Sequence, residues 1–205
     1  MNTNTLTIGA VLLIVGLGLG YLIWGTPSGV NTGQHIMPGG GMMSQNIDQH
    51  FIVQMIPHHE GAIEMARVAL ERSKRPEIIS LAQGIIESQQ KEINDMTSWY
   101  RAWFDSDVPT EGMGMPVRQS LGVGGMHGGG MSGDVAVLEK LSGPAFDREF
   151  LQQMIPHHEM AIMMVQMLAA GTERAEMKQL ADNIRTSQSR EIVMMRGWLE
   201  SWYGE

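Results

Sequence analysis

The sequence predicts an all-α protein: a four-helix bundle made from two copies of one helical hairpin, preceded by an N-terminal membrane or signal helix. Three observations predict it. The heptapeptide Gln-Met-Ile-Pro-His-His-Glu stands at residues 54–60 and again at residues 153–159. Residues 48–103 align with residues 147–202 without a gap, and 24 of 56 pairs are identical. An ungapped match of that length marks an internal duplication. Within each copy, apolar residues recur at three- and four-residue intervals, which is the helical period.

The elements follow in chain order. Residues 1–25 form a membrane anchor or signal, because the run Leu6–Trp24 is uncharged and mostly apolar. Such a run is long enough to span a bilayer as a helix. A cleaved secretory signal would carry a basic start and a small-residue cleavage site. Neither is clear, so an uncleaved anchor is favoured, with the rest of the chain on the outer side. Residues 26–46, rich in Gly, Pro and Ser, read as a flexible tether.

Residues 47–104 form the first hairpin. Phe51, Met55, His58, His59, Ala62, Met65 and Ala66 share one helical face, and a break falls near Ser73–Pro76. Leu81, Ile85, Ser88, Glu92, Met96, Trp99 and Trp103 make the facing stripe. A short connection makes the two helices antiparallel neighbours. Pro57 and Pro156 fall inside the helical pattern: either the helix begins there with proline in its first turn, or it kinks and frees a carbonyl one turn earlier, and the stripe continuing across the proline favours the kink. Residues 105–143 read as a Gly- and Met-rich crossover linker, and residues 144–205 repeat the hairpin. Two hairpins bury four stripes most simply as a four-helix bundle.

Composition narrows the chemistry. The chain has 205 residues, 19 of them Met and none Cys, and a net charge of -8. Disulfides and thiolate metal sites are therefore absent, and the charge argues against nucleic acid, which wants clustered Lys and Arg. Thioether and imidazole occurring together suit soft monovalent cations, Cu(I) and its heavier relative Ag(I). In the antiparallel hairpin Met55, His58 or His59, and Met96 come to one level, and Glu92 is placed to orient an imidazole. The second copy places Met154, His157 or His158, Met195 and Glu191 in the same way. Metal-bound histidines commonly donate their second N–H to a carboxylate. Which histidine of each pair ligates is open at this point, and Met55, Met65 and Met96 taken alone read as core rather than ligand; the repeated His-His motif is what turns the reading to metal. Trp99, Trp103, Trp198 and Trp202 are expected at the core or the bundle ends. Met160, Met163 and Met167 add to the second copy, and some of them must leave the core.

His35, Met37, Met42, Met43, Met113, Met115, Met126 and His127 put further soft ligands on Gly-rich, flexible backbone. Ordering such backbone lowers affinity. Imidazole must be neutral to ligate, whereas a thioether has no proton to lose. Affinity at the bundle sites is thus expected to weaken as pH falls from about 7 to about 5, since free histidine titrates near about 6.5. Pure methionine sites should hardly change.

The pattern Asp-x-x-Phe-x-x-x-Met-Ile-Pro-His-His-x-x-Ala-Ile-x-Met stands at Asp48 to Met65 and again at Asp147 to Met164. Here the chain resembles a family of Met/His-rich, ferritin-like copper-binding proteins, long catalogued as a domain of unknown function, with tandem Met-Ile-Pro-His-His motifs. The resemblance implies a four-helix ferritin-like fold, an extracytoplasmic place and copper handling. It carries Met65 and Met164 into the candidate ligand set with the residues above. A non-enzymatic Cu(I) and Ag(I) binding protein is the leading expectation, with a copper-transfer protein as a possible partner. A Met-rich structural or interaction module without metal is the alternative. A di-iron oxidase is disfavoured: it wants Glu-x-x-His elements inside the bundle, and neither copy has one.

Overall fold

The computed structural model describes residues 41–109 and 135–205, with side chains from residue 47 onward. Four long helices and one short one account for these residues: α1 (Gly41–Arg72), α2 (Pro76–Phe104), α3 (Val135–Leu138), α4 (Gly143–Gly171) and α5 (Ala175–Tyr203). No strand occurs among the described residues. The apolar run at residues 6–24 lies outside them. No helix among the described residues is long and apolar enough to cross a membrane.

α1 and α2 form the first hairpin, α4 and α5 the second, and α1 packs on α4. Each hairpin turns through three residues, Ser73–Arg75 and Thr172–Arg174. The turns are built alike. Ser73 N–H donates back to the Ala69 carbonyl at 3.0 Å, and Thr172 N–H to Leu168 at 2.9 Å. The Ser73 and Thr172 hydroxyls then accept from the backbone N–H of Arg75 and Arg174, both at 3.2 Å. Arg75 and Arg174 stand at the N-caps of α2 and α5 in extended conformation, which frees their side chains to reach across to the other hairpin.

That reach holds the two hairpins together. Arg75 pairs with the buried Asp147 at 3.2 Å, and Arg174 pairs with the buried Asp48 at 3.2 Å. Ser73 Oγ also donates to Asp147 at 2.5 Å. Each guanidinium lies 4.0 Å over an indole from the far helix end, Arg75 over Trp202 and Arg174 over Trp103. The turn of each hairpin therefore meets the open end of the other, and the hairpins run antiparallel. Burial raises the Asp48 carboxyl above its usual range, opposed by the Thr172 hydroxyl and the Arg174 charge. The tryptophans sit at the bundle ends, where the sequence places them.

α1 and α4 run unbroken through Pro57 and Pro156. A mid-helix proline has no N–H for the carbonyl four residues earlier, here Val53 and Gln152. Three boundaries differ from the sequence reading. α1 begins at Gly41, so Met42 and Met43 lie on helical backbone rather than in a loose tether. Residues 135–138, read as linker, form a helical turn whose Leu138 is fully buried. α4 starts one residue early, at Gly143, whose φ of 58° suits glycine. The run Val135-Ala136-Val137-Leu138 is apolar throughout but too short to show a helical period, and only Leu138 is buried.

The core divides at its waist. One apolar cluster joins residues 51–63 of α1 and 93–100 of α2 to 161–168 of α4 and 177–184 of α5. The other joins 62–69 of α1 and 78–85 of α2 to 146–155 of α4 and 192–199 of α5, with Leu138. Each cluster thus draws about equally on the two hairpins.

Candidate metal centre

Between the two apolar clusters lies a belt of polar side chains. His58, His59 and His158 are fully buried and His157 is 7% exposed. Helical geometry turns consecutive residues by 100°, so the two histidines of each pair face different neighbours. His59 turns toward α2, where its Nε2–H donates to Glu92 Oε2 at 2.7 Å. His158 makes the matching bond to Glu191 Oε2 at 2.6 Å. His58 turns instead toward the second hairpin and lies against His157, with ring centroids 3.7 Å apart and planes 40° apart. The two repeats meet at this contact.

The hydrogen bonds assign tautomers. An ionised carboxylate only accepts, so Nε2 carries the proton in His59 and His158. In the neutral ring Nδ1 is then a bare lone pair. Both Nδ1 atoms are buried without a hydrogen-bond partner. A buried polar atom with no partner is costly and calls for an explanation. His58 is held neutral: its pKa is lowered to about 2, chiefly by burial and next by the charges that His157, His59 and His158 would carry.

The methionines complete the surroundings. Met55 stands one turn before His59 and Met96 one turn after Glu92, so the His59–Glu92 contact brings both to one level, and both are fully buried. His158–Glu191 does the same for Met154 and Met195, also fully buried. Met65 and Met164 do not join the methionines of their own copy. Met164 packs in the cluster of Met55 and Met96, and Met65 in that of Met154 and Met195. The sequence reading of one self-contained site per copy is corrected accordingly: each methionine group draws on both hairpins. The cause is the antiparallel packing of α1 on α4, which brings the far half of each helix beside the near half of the other.

Two buried polar residues were not singled out as site residues by the sequence. Gln89 and Gln188 are each 2% exposed, with an Oε1 lacking a partner. Their identity in both copies, three residues before Glu92 and Glu191, was the available signal. Among the described residues no three or more His, Asp or Glu side chains are grouped to hold a metal ion. A cation in this belt would therefore need thioether sulfur as well as imidazole. The donor set fits a soft monovalent ion and offers no carboxylate cage for iron. His35, Met37, Met113, Met115, Met126 and His127 lie outside the described residues.

A family model described as a domain of unknown function, DUF305, matches residues 48–199. The chain belongs to the DUF305 family. Among solved structures, CopM in its Cu(II)-bound form is 46% identical, with a TM-score of 0.65, covering 76% of this chain and 97% of that one. CopM in its Cu(I)-bound form is 43% identical, with a TM-score of 0.62 and coverage of 76% and 97%. A DUF305 fragment from Deinococcus radiodurans shares the fold at 29% identity, TM-score 0.61, covering 76% of this chain and 96% of that one. The uncharacterized protein L153 of Acanthamoeba polyphaga mimivirus is 49% identical over 51 residues, 25% of this chain and 34% of that protein. The DUF305 match takes in both hairpins and every histidine of the belt.

Proposed function

We propose that this DUF305 protein binds Cu(I), and Ag(I) in its place, as cargo in the buried belt, and that it does so outside the cytoplasm to sequester or pass on the ion. The observation that carries the reading is the pair of His–Glu contacts. Each fixes a ring so that a bare Nδ1 points into the buried interior with no donor to satisfy it. A carboxylate behind a histidine is the usual support of a metal ligand, and methionine sulfur lies in the adjoining turn. CopM, similar over nearly its whole length, has been crystallised with Cu(I), Cu(II) and Ag. The proposed role is binding rather than catalysis. The apolar run at residues 6–24 supports membrane attachment with the bundle on the periplasmic or extracellular side, or export if the run is cleaved. A copper-transfer protein would be the partner for exchange.

A second reading has its own support. Met55, Met65, Met96, Met154 and Met195 are all fully buried and lie in apolar clusters, as core methionines would. Anaerobic Cu(I) titration of the full chain separates the two. The His59→Gln/His158→Gln variant should lose bound Cu(I) if the belt is the site. Unchanged stoichiometry and affinity would leave the methionines and histidines as packing.

A further inference from the structure

The second hairpin carries a row of methionines that the core does not use. On α4, Met167 is 57% exposed, Met163 53% and Met160 40%. Their spacing of three and four residues makes them successive neighbours on one helix face. The row spans about 10 Å along the axis. It does not end in open surface. Met160 is three residues from His157 and four from Met164, each only 7% exposed, at the edge of the buried belt. Along Met167, Met163, Met160 and Met164, thioether groups therefore pass stepwise from solvent to core.

Packing does not require these side chains. The equivalent positions of the first hairpin are Gly61, Glu64 and Val68. The same fold is thus built there without one methionine in the row. A solvated helix face normally carries polar residues, and a file of exposed flexible thioethers is chemically specific for soft cations. The belt itself is closed to solvent, so an ion bound there needs a way in.

We infer that Met160, Met163 and Met167 form an exchange site for a soft monovalent cation on the second hairpin only, which delivers the ion to Met164 and His157. The inference rests on the belt being the storage site. The ion keeps its oxidation state throughout: it passes between sulfur ligands and last to imidazole nitrogen, with one bond to the ion made as another breaks.

The test uses the full-length chain with 13C-labelled methionine methyl groups, assigned by single Met→Leu variants, and Ag(I) as the probe. The methyls of Met160, Met163 and Met167 should shift on Ag(I) addition, and Met163→Leu should abolish the shifts of the other two. Methyls unmoved at saturating Ag(I) would overturn the site. The triple variant Met160→Leu/Met163→Leu/Met167→Leu should take up Ag(I) from a chelator more slowly, with equal final loading of Met55 and Met154. An unchanged uptake rate would overturn the delivery role. In a variant with Gln at positions 58, 59, 157 and 158 the exposed methyls should still shift while those of Met55 and Met154 no longer do. Persistence of the buried shifts there would refute the histidine belt while leaving the surface site standing. The Met→Leu arms concern exposed positions and decide the surface site even if the histidine variant does not fold.

Discussion

A buried imidazole nitrogen without a partner is a cost that a folded chain rarely carries unless something else uses the lone pair. The belt has this feature at His59 and His158. Under the proposed function, Glu92 and Glu191 position the rings rather than touch the ion. Glu92→Gln with Glu191→Gln should weaken Cu(I) binding by about 10- to 100-fold, the usual effect of removing such support. Competition titration against a Cu(I) chelator measures this, and equal affinity would count the carboxylates as ordinary polar edges. His58 makes a separate prediction about the metal-free protein. Its folded pKa of about 2 lies below the ordinary value of 6.5. Above about pH 6.5 the ring is neutral in both states and contributes no pH dependence. Below that, the unfolded chain takes up a proton that the folded chain refuses, so stability falls with pH by at most about 1.4 kcal/mol per unit. Urea melts between pH 7 and 5 should show the fall, and His58→Gln should flatten it. The same shift removes His58 from the expectation that acid weakens Cu(I) binding, because no proton competes there in that range.

At the scale of the helix, much was legible from the sequence. The heptapeptide gave the hairpins their register, and Met55, His58, His59, Ala62, Met65 and Ala66 are all buried on one face of α1. The levels of Met55 with Met96 and Met154 with Met195 follow from a short turn alone. The different roles of the two histidines in each pair could not be read. Each is set by which neighbour stands 100° further round the helix, and that depends on how the hairpins pack. The exchange of Met65 and Met164 between clusters was hidden for the same reason. Pro57 shows a local rule overridden by its surroundings: α1 continues through it at the expense of a backbone hydrogen bond. Pro57→Ala should restore that bond and raise unfolding stability by about 1–3 kcal/mol, seen as a higher midpoint in thermal unfolding. A lower midpoint would mean that the free Val53 carbonyl has found a partner worth more than the helix bond. The proline stands directly before His58 and His59, so the variant also tests whether the missing helix bond sets their aim: Cu(I) affinity should fall while stability rises.

At the scale of the molecule, each half of the core is shared between the hairpins, and Arg75–Asp147 and Arg174–Asp48 tie their ends. A single hairpin would expose its side of both clusters together with a buried-type aspartate. A fragment of residues 41–109 should therefore not fold as a monomer. The repeat suggests what it does instead. Asp48 and Arg75 of one copy occupy the places of Asp147 and Arg174 in the other, so a second copy of the fragment can supply everything the missing hairpin does. Phe51, Met55 and Met96 would face the equivalent of Met164 in the partner's Met65, and His58 would meet a second His58 on the two-fold axis. The fragment is expected to sediment as a helical dimer whose helix content falls on dilution, since folding and association are then one step. Asp48→Ala should destabilise that dimer twice over, because each copy loses one end of its clasp. In the full chain it breaks one of two, at a cost of about 1.5–3 kcal/mol. Sedimentation and circular dichroism over a concentration series decide the matter. A fragment that stays folded and monomeric would show that each hairpin is stable alone and that the shared core adds little.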